Sequence, residues 1–427
     1  MPSSLTCFFN QLHSGRPASI EVYVDWQKDL GLDDVKDMLI TQLDRSRDSG
    51  FPTQILVTGQ KGSGKSTELH RVRERLQAQN VFVSFQDGTF VESLGSDITA
   101  SDILYFAAEQ LVLDLTEANV VSAGAAWEGF WTSLKEPLSK LGVDLKGPAG
   151  VGIGLSLKNE TSRRSELRKL FDAHRSRFIT TINREILRPA MTQLRDASFT
   201  GITLIVDGLG DIPLRSIDDE LLTASTNHEQ IFVEQGDELK GLDCDVVYTF
   251  PIELAYNGLK LGNQAGGEAQ ELGVIPVRDR DRKPDPAGSG ALRTMLERRA
   301  THCNVELYLM FASADVDRLI EASGGHIRTL FELTQAAINR AGSHPSLPVV
   351  ARHITAAVTR RADTLQRTLL AVHRDVLTQV AATQQPPTDE LRPRFTELLF
   401  SQHVLAYYDD RGTWYEPHPL TDPDRLA

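Results

Sequence analysis

The sequence predicts an α/β protein: a parallel sheet with helices on both faces, then an all-helical stretch and a terminal module of helices closed by a hairpin. Three observations predict it. Short, almost continuous apolar runs recur between amphipathic helical patterns, the mark of strands buried on both faces. A glycine-rich loop joins one of these runs to a helix. Near the C-terminus, two aromatic-rich runs flank an Asp-Asp-Arg-Gly turn.

The elements follow in order. Residues 1–50 read as a lead-in, with helical spacing over 35–43, where Val35, Met38, Leu39 and Leu43 share one side. Gly50, Phe51 and Pro52 break it. TQILVT (53–58) is the first buried strand, 65–79 an amphipathic helix, and VFVSF (81–85) the second strand. An apolar helix over 101–115 opens on Ser101 and Asp102 as cap. Residues 118–164 leave the alternation, and glycine-rich 142–157 reads as a hairpin or loop. Helical spacing returns over 164–193 and must kink or end at Pro189. ITLIV (202–206), DVVYTF (245–250) and GVIPV (273–277) complete the strands. The polar, Pro/Gly-rich 278–290 reads as a linker. Helices follow to about 341, and the last helices with the hairpin around 409–412 predict a winged helix.

Composition narrows the function. The chain has 427 residues, long enough for two or three domains. Lys and Arg number 45 against 58 Asp and Glu, a net charge of −13, which excludes a bulk nucleic-acid coat. Three separated cysteines, Cys7, Cys244 and Cys303, predict no disulfide framework and a reducing cytoplasm. The opening residues show no signal-peptide pattern, and no apolar run reaches about 18 residues, so no membrane span is expected.

One motif decides the chemistry. Gly59, Gln60, Lys61, Gly62, Ser63, Gly64, Lys65 and Ser66 fit G-x-x-x-x-G-K-[ST] between a strand and a helix, and Thr67 continues the helix. Glycines let the backbone wrap an anion with its N–H groups inward and a helix N-terminus behind. Lys65 supplies charge to the β- and γ-phosphates, and the Ser66 hydroxyl a ligand for Mg²⁺. Asp207 closes the apolar strand 202–206, at the strand end where open parallel sheets bind ligands, and is the second expected Mg²⁺ residue. The expected ligands are therefore ATP and Mg²⁺, on a P-loop NTPase fold.

With GQKGSGKSTEL (59–69), LIVDGLGD (204–211), VVYTFPIEL (246–254) and SGGHIRTLFEL (323–333) in this order, the chain resembles AAA+/STAND-type ATPases of the origin-recognition-like branch. The resemblance covers about 50–340. It implies a P-loop core over 51–285 with an insertion near 118–200, a helical lid over 286–342 and a winged-helix module over 343–427. It implies that Thr249 orients the γ-phosphate or the attacking water, and that Arg328 on the lid reaches the phosphates. Tyr23 and Trp26 stand where the family packs adenine, or else are core aromatics. The chain departs from the family twice. Gly208 follows Asp207 where many members carry Glu, leaving Asp211 to act as base with a shorter side chain, which implies slow hydrolysis. No arginine occurs in 255–271 to serve as a finger.

The function so implied is an ATP-driven conformational switch with slow hydrolysis, with a protein partner or separately encoded effector in defence or signalling and a nucleotide-dependent oligomer. A DNA-acting initiator- or transposition-like ATPase and a scaffold that never turns over are the alternatives. The arginines at 163, 164, 168, 175, 177, 184, 188 and 195 read as a nucleic-acid or partner face, or as a solvated helix face. His13, His70, His174 and His228 read as surface or capping residues. Asp409 and Asp410 at the wing argue against phosphate contact, so DNA is the less favoured partner.

Overall fold

The computed structural model describes residues 4–121, 128–130, 132–133, 161–215, 226–256, 269–342 and 348–421. The expected hairpin or loop at 142–157 lies outside them. The main elements are α1 (Ser4–Gln11), α2 (Val35–Ser49), β1 (Gln54–Gly59), α3 (Lys65–Ala78), β2 (Val81–Gln86), α4 (Ala100–Glu117), α5 (Thr161–Ile182), α6 (Arg188–Asp196), β3 (Gly201–Val206), β4 (Asp245–Thr249) and β5 (Gln270–Leu272). Then come α7 (Pro286–His302), α8 (Ser313–Ser323), α9 (Ile327–Ala341), α10 (Ala351–Gln366), α11 (Ala371–Thr383), α12 (Arg392–Phe400), β6 (Val404–Asp409) and β7 (Gly412–Pro417).

The chain divides into two compact units. One comprises Val35–Thr58 and Glu68–Gln270; the other comprises Met1–Asp34, Gly59–Thr67 and Glu271–Ala427.

The first unit is the sheet and its helices. The strand order is β2-β3-β4-β1-β5, and the β2–β3, β3–β4 and β4–β1 pairs are parallel. β3 is buried along its whole length, as its apolar run predicts. The apolar helix α4 buries Ile103, Leu104, Tyr105 and Leu111 in one core with Leu204 and Val246. Pro189 does interrupt the long helix: a π-turn at Asn183–Leu187 separates α5 from α6, whose first turn holds the proline. Four of the eight arginines named above are paired with acids: Arg168 with Asp97 and Asp102, Arg175 with Glu238, Arg184 with Glu185 and Arg188 with Asp243. That favours the solvated-face reading.

The second unit corrects three expectations. The predicted strand 273–277 is not a strand of the sheet: β5 ends at Leu272, and the Val274 amide donates to the Ala406 carbonyl at 2.9 Å while Val274 pairs with Tyr407 of β6. Pro276, without an N–H, could not continue a ladder. The arginine-rich 278–290 is pinned. Arg280 forks onto Asp409 at 2.8 and 2.9 Å and stacks over Trp414, Arg282 meets Glu416, and Arg278 meets Glu321. The third correction concerns sulfur: Cys7 in α1 and Cys303 after α7 form a disulfide. Their separation of 296 residues hides the pairing from sequence. Only Cys244, in the other unit, is a free thiol.

Among the described residues, no helix is long and apolar enough to cross a membrane.

Candidate nucleotide site

The phosphate loop is built from its glycines outward. β1 runs straight into Gly59, and α3 begins at Lys65, so the motif has the strand–loop–helix setting that its chemistry needs. The Lys65 ammonium is buried and donates to the Gly59 carbonyl at 2.6 Å and the Gln60 carbonyl at 3.0 Å. Gly62 has φ +93°, and a Cβ there would stand 2.5 Å from Cβ of Arg328. The arginine side chain therefore lies directly on the loop, as only glycine permits. Arg328 Nε and the Ser63 hydroxyl are both buried without a hydrogen-bond partner among the described residues. Buried donors of this kind need an acceptor, and an anion's oxygen would supply one.

The loop carbonyl of Lys61 is held from two sides. His326 Nε2 donates to it at 2.9 Å and Gln402 Nε2 at 2.8 Å. His326 also caps α9: Nδ1 accepts the Thr329 amide at 3.4 Å and the Thr329 hydroxyl at 2.8 Å. Both bonds fix one neutral tautomer. Full burial pushes this histidine down to about 3, with the nearby Arg328, Arg361 and Lys65 charges acting in the same direction. Gln60 is as tightly bound. Its amide donates to the Leu399 carbonyl (3.2 Å) and the Val404 carbonyl (2.7 Å) and accepts the Ala406 amide (3.1 Å).

In the sheet unit, register sets the other residues. Val57 of β1 stands opposite Thr249 of β4, and Val206 of β3 opposite Tyr248, which puts Asp207 and Thr249 in one row at the strand ends. Asp207 is buried, and its Oδ1 accepts the Gly208 amide at 2.7 Å. The buried Thr249 hydroxyl accepts the Leu209 amide at 3.0 Å and donates to the Val206 carbonyl at 3.5 Å. It thereby holds the turn after Asp207. Asp211 closes the following 3₁₀ turn, Leu209–Asp211, and is half-buried.

Gly208 accounts for the departure at this turn. It has φ +81°, and a Cβ would lie 2.2 Å from Cα of Gly88. No side chain fits there, so a glutamate after Asp207 is sterically excluded.

Some site residues were missed and one was misread. His326 stands in the motif at 323–333 and Gln402 just before β6, but their bonds join residues far apart in sequence. His228 is neither surface nor cap. It is fully buried, with Nδ1 against Glu253 and Nε2 donating to the Ile212 carbonyl at 2.8 Å. Trp26 is buried and Tyr23 half-buried.

Sheet topology, the strand–loop–helix motif and the acid at the end of β3 together define an α/β P-loop fold. No protein-family model matches the chain, and no curated protein matches it. Three solved structures align with most of it. The chain is similar to a structure of Drosophila ORC bound to DNA, at 12% identity and TM-score 0.41 over 99% of this chain and 90% of that one. It is similar to the Aeropyrum pernix ORC1 protein in complex with DNA (13%, TM-score 0.37) and the Aeropyrum pernix ORC2 protein in its ADP form (13%, TM-score 0.39). Each of these covers 92% of this chain and 90% of that one. At these values none of the three bears on what this chain binds.

Proposed function

We propose that this chain is an AAA+-like ATP-binding switch with slow Mg²⁺-dependent hydrolysis. The observation that carries the reading is the phosphate loop itself, with Lys65 folded onto its carbonyls and the buried donors of Ser63 and Arg328 left over. On this reading the loop amides of residues 59–67 and Lys65 take the β- and γ-phosphates, and Arg328 takes the terminal phosphate. Ser66 and Asp207 would hold Mg²⁺, which when bound neutralises phosphate oxygens. Asp211 takes the role of base, at the end of a turn that Thr249 fixes. Its short side chain, with Gly208 barring a glutamate, supports slow turnover. Nucleotide state then sets how firmly Arg328 and α9 are held to the loop.

The C-terminal module reads as a winged helix that serves this switch, with a protein partner or separate effector in defence or signalling. DNA is the second reading. The pairing of Asp409 with Arg280 removes part of the repulsion expected at the wing. Salt-sensitive duplex binding lost on changing Arg360 and Arg374 would establish it.

Calorimetric titration with ATP and Mg²⁺ tests the main reading. Lys65→Ala should weaken binding by roughly tenfold or more, about 1.4 kcal/mol. Unchanged affinity would remove the loop from the site.

A further inference from the structure

We propose that the Cys7–Cys303 disulfide is a redox anchor that slows nucleotide release; this rests on the reading of residues 59–67 as the nucleotide loop. The disulfide fastens α1 to the end of α7. Beyond α1 the chain is irregular up to residue 25. This N-terminal segment is held by its carbonyls. Gln335 donates to the Phe9 carbonyl at 2.9 Å, Arg299 to those of Gln11 (3.2 Å) and Val22 (3.3 Å), and Arg298 to that of Tyr23. Between the two points held by Arg299, the Ala18 amide donates to the Thr67 hydroxyl at 3.1 Å, at the end of the phosphate loop. The segment thus runs from a covalent tie to the loop.

Arg299 shows why the tie matters. Its guanidinium is buried over the Phe331 ring, and among the described residues its acceptors are the carbonyls of Gln11, Val22 and Met295. Burial pushes it down to about 10. Two of its three acceptors come from the segment, so moving the segment strips a buried cation of dipoles. With the disulfide closed the segment has a covalent and a polar hold; with it open only the polar hold remains.

The exchange chemistry is balanced by a thiol–disulfide couple. A thiolate of a small dithiol attacks Sγ of Cys7, which is half-buried, whereas Cys303 is buried. The S–S bond breaks, and its electron pair leaves on Sγ of Cys303, which takes a proton. The second thiol of the reagent then displaces Cys7, giving two cysteine thiols and the oxidised reagent. A disulfide such as oxidised glutathione drives the reverse. Cys244 stands apart: burial, then the charges of Asp245 and Asp243, push its thiol pKa far up.

The test loads the full-length chain with a fluorescent ATP analogue and Mg²⁺ and follows release after dilution into unlabelled ATP. Protein oxidised with glutathione disulfide is compared with protein reduced with dithiothreitol. Release should be roughly tenfold faster in the reduced protein. Cys7→Ser and Cys303→Ser should release fast in both conditions, and Cys244→Ser should behave as wild type. Hydrogen exchange at 13–21, without nucleotide, should rise on reduction. Binding that is blind to redox state, or peptide mapping that finds no Cys7–Cys303 link in the oxidised protein, overturns the inference alone. No nucleotide binding in either state overturns the nucleotide reading and the inference with it.

Discussion

Gly208 shows how one missing side chain constrains the chemistry around it. Its backbone packs on Gly88 so closely that a Cβ would meet Cα at 2.2 Å. Restoring the glutamate common in related motifs should therefore not restore a base. Gly208→Glu should cost about 3 kcal/mol or more of stability, read as a lower urea midpoint, because it adds both a clash and a strained positive φ. Gain of turnover in a stably folded Gly208→Glu protein would show that the turn can open. Asp207→Asn is the milder probe. It keeps the shape, so ATP binding should persist while Mg²⁺-dependent phosphate release disappears. Unchanged release would take Asp207 out of the metal site.

Among the elements, α9 joins the most functions. Its cap, His326, binds the loop carbonyl of Lys61, and two residues on, Arg328 covers Gly62. ATP should engage the arginine more strongly than ADP, since a charge-assisted pair adds roughly 1.5–3 kcal/mol. Arg328→Ala should thus lower ATP affinity more than ADP affinity in parallel titrations; an unchanged ratio would place the sensor elsewhere. Elements of this kind were legible in part. The strands were readable because their signal is local: runs such as ITLIV are apolar throughout and end in turn residues. The phosphate loop was readable for the same reason. GVIPV carried the same apolar signal and misled, because the partner that takes the Val274 amide is a strand near the far end of the chain. His228 was opaque too, since its partners, Ile212 and Glu253, approach only through the fold.

For the molecule as a whole, buried histidines set a dependence on pH. Burial first, and neighbouring positive charges, hold His326 at about 3 and His418 well below the ordinary value of 6.5; burial also lowers His403. The unfolded chain binds these protons and the folded chain does not, so stability is complete above 6.5 and falls as pH drops below it. One unit below 6.5, His326 alone should cost about 1.4 kcal/mol. A melting series from about pH 7.5 to pH 5.5 should show a falling midpoint, by roughly 2–4 °C per kcal/mol. His326→Gln retains a donor for Lys61 and cannot titrate, so its curve should be flatter; an identical slope would absolve this residue. Gln60 carries a consequence of another kind. Its amide is satisfied by Leu399, Val404 and Ala406, and Lys61 takes a bond from Gln402. A premature stop codon after residue 342 would leave every signature residue in the product, yet strip the loop of these partners. Alleles truncated between residues 342 and 399 should therefore behave, in a genetic screen, as lesions of the nucleotide site.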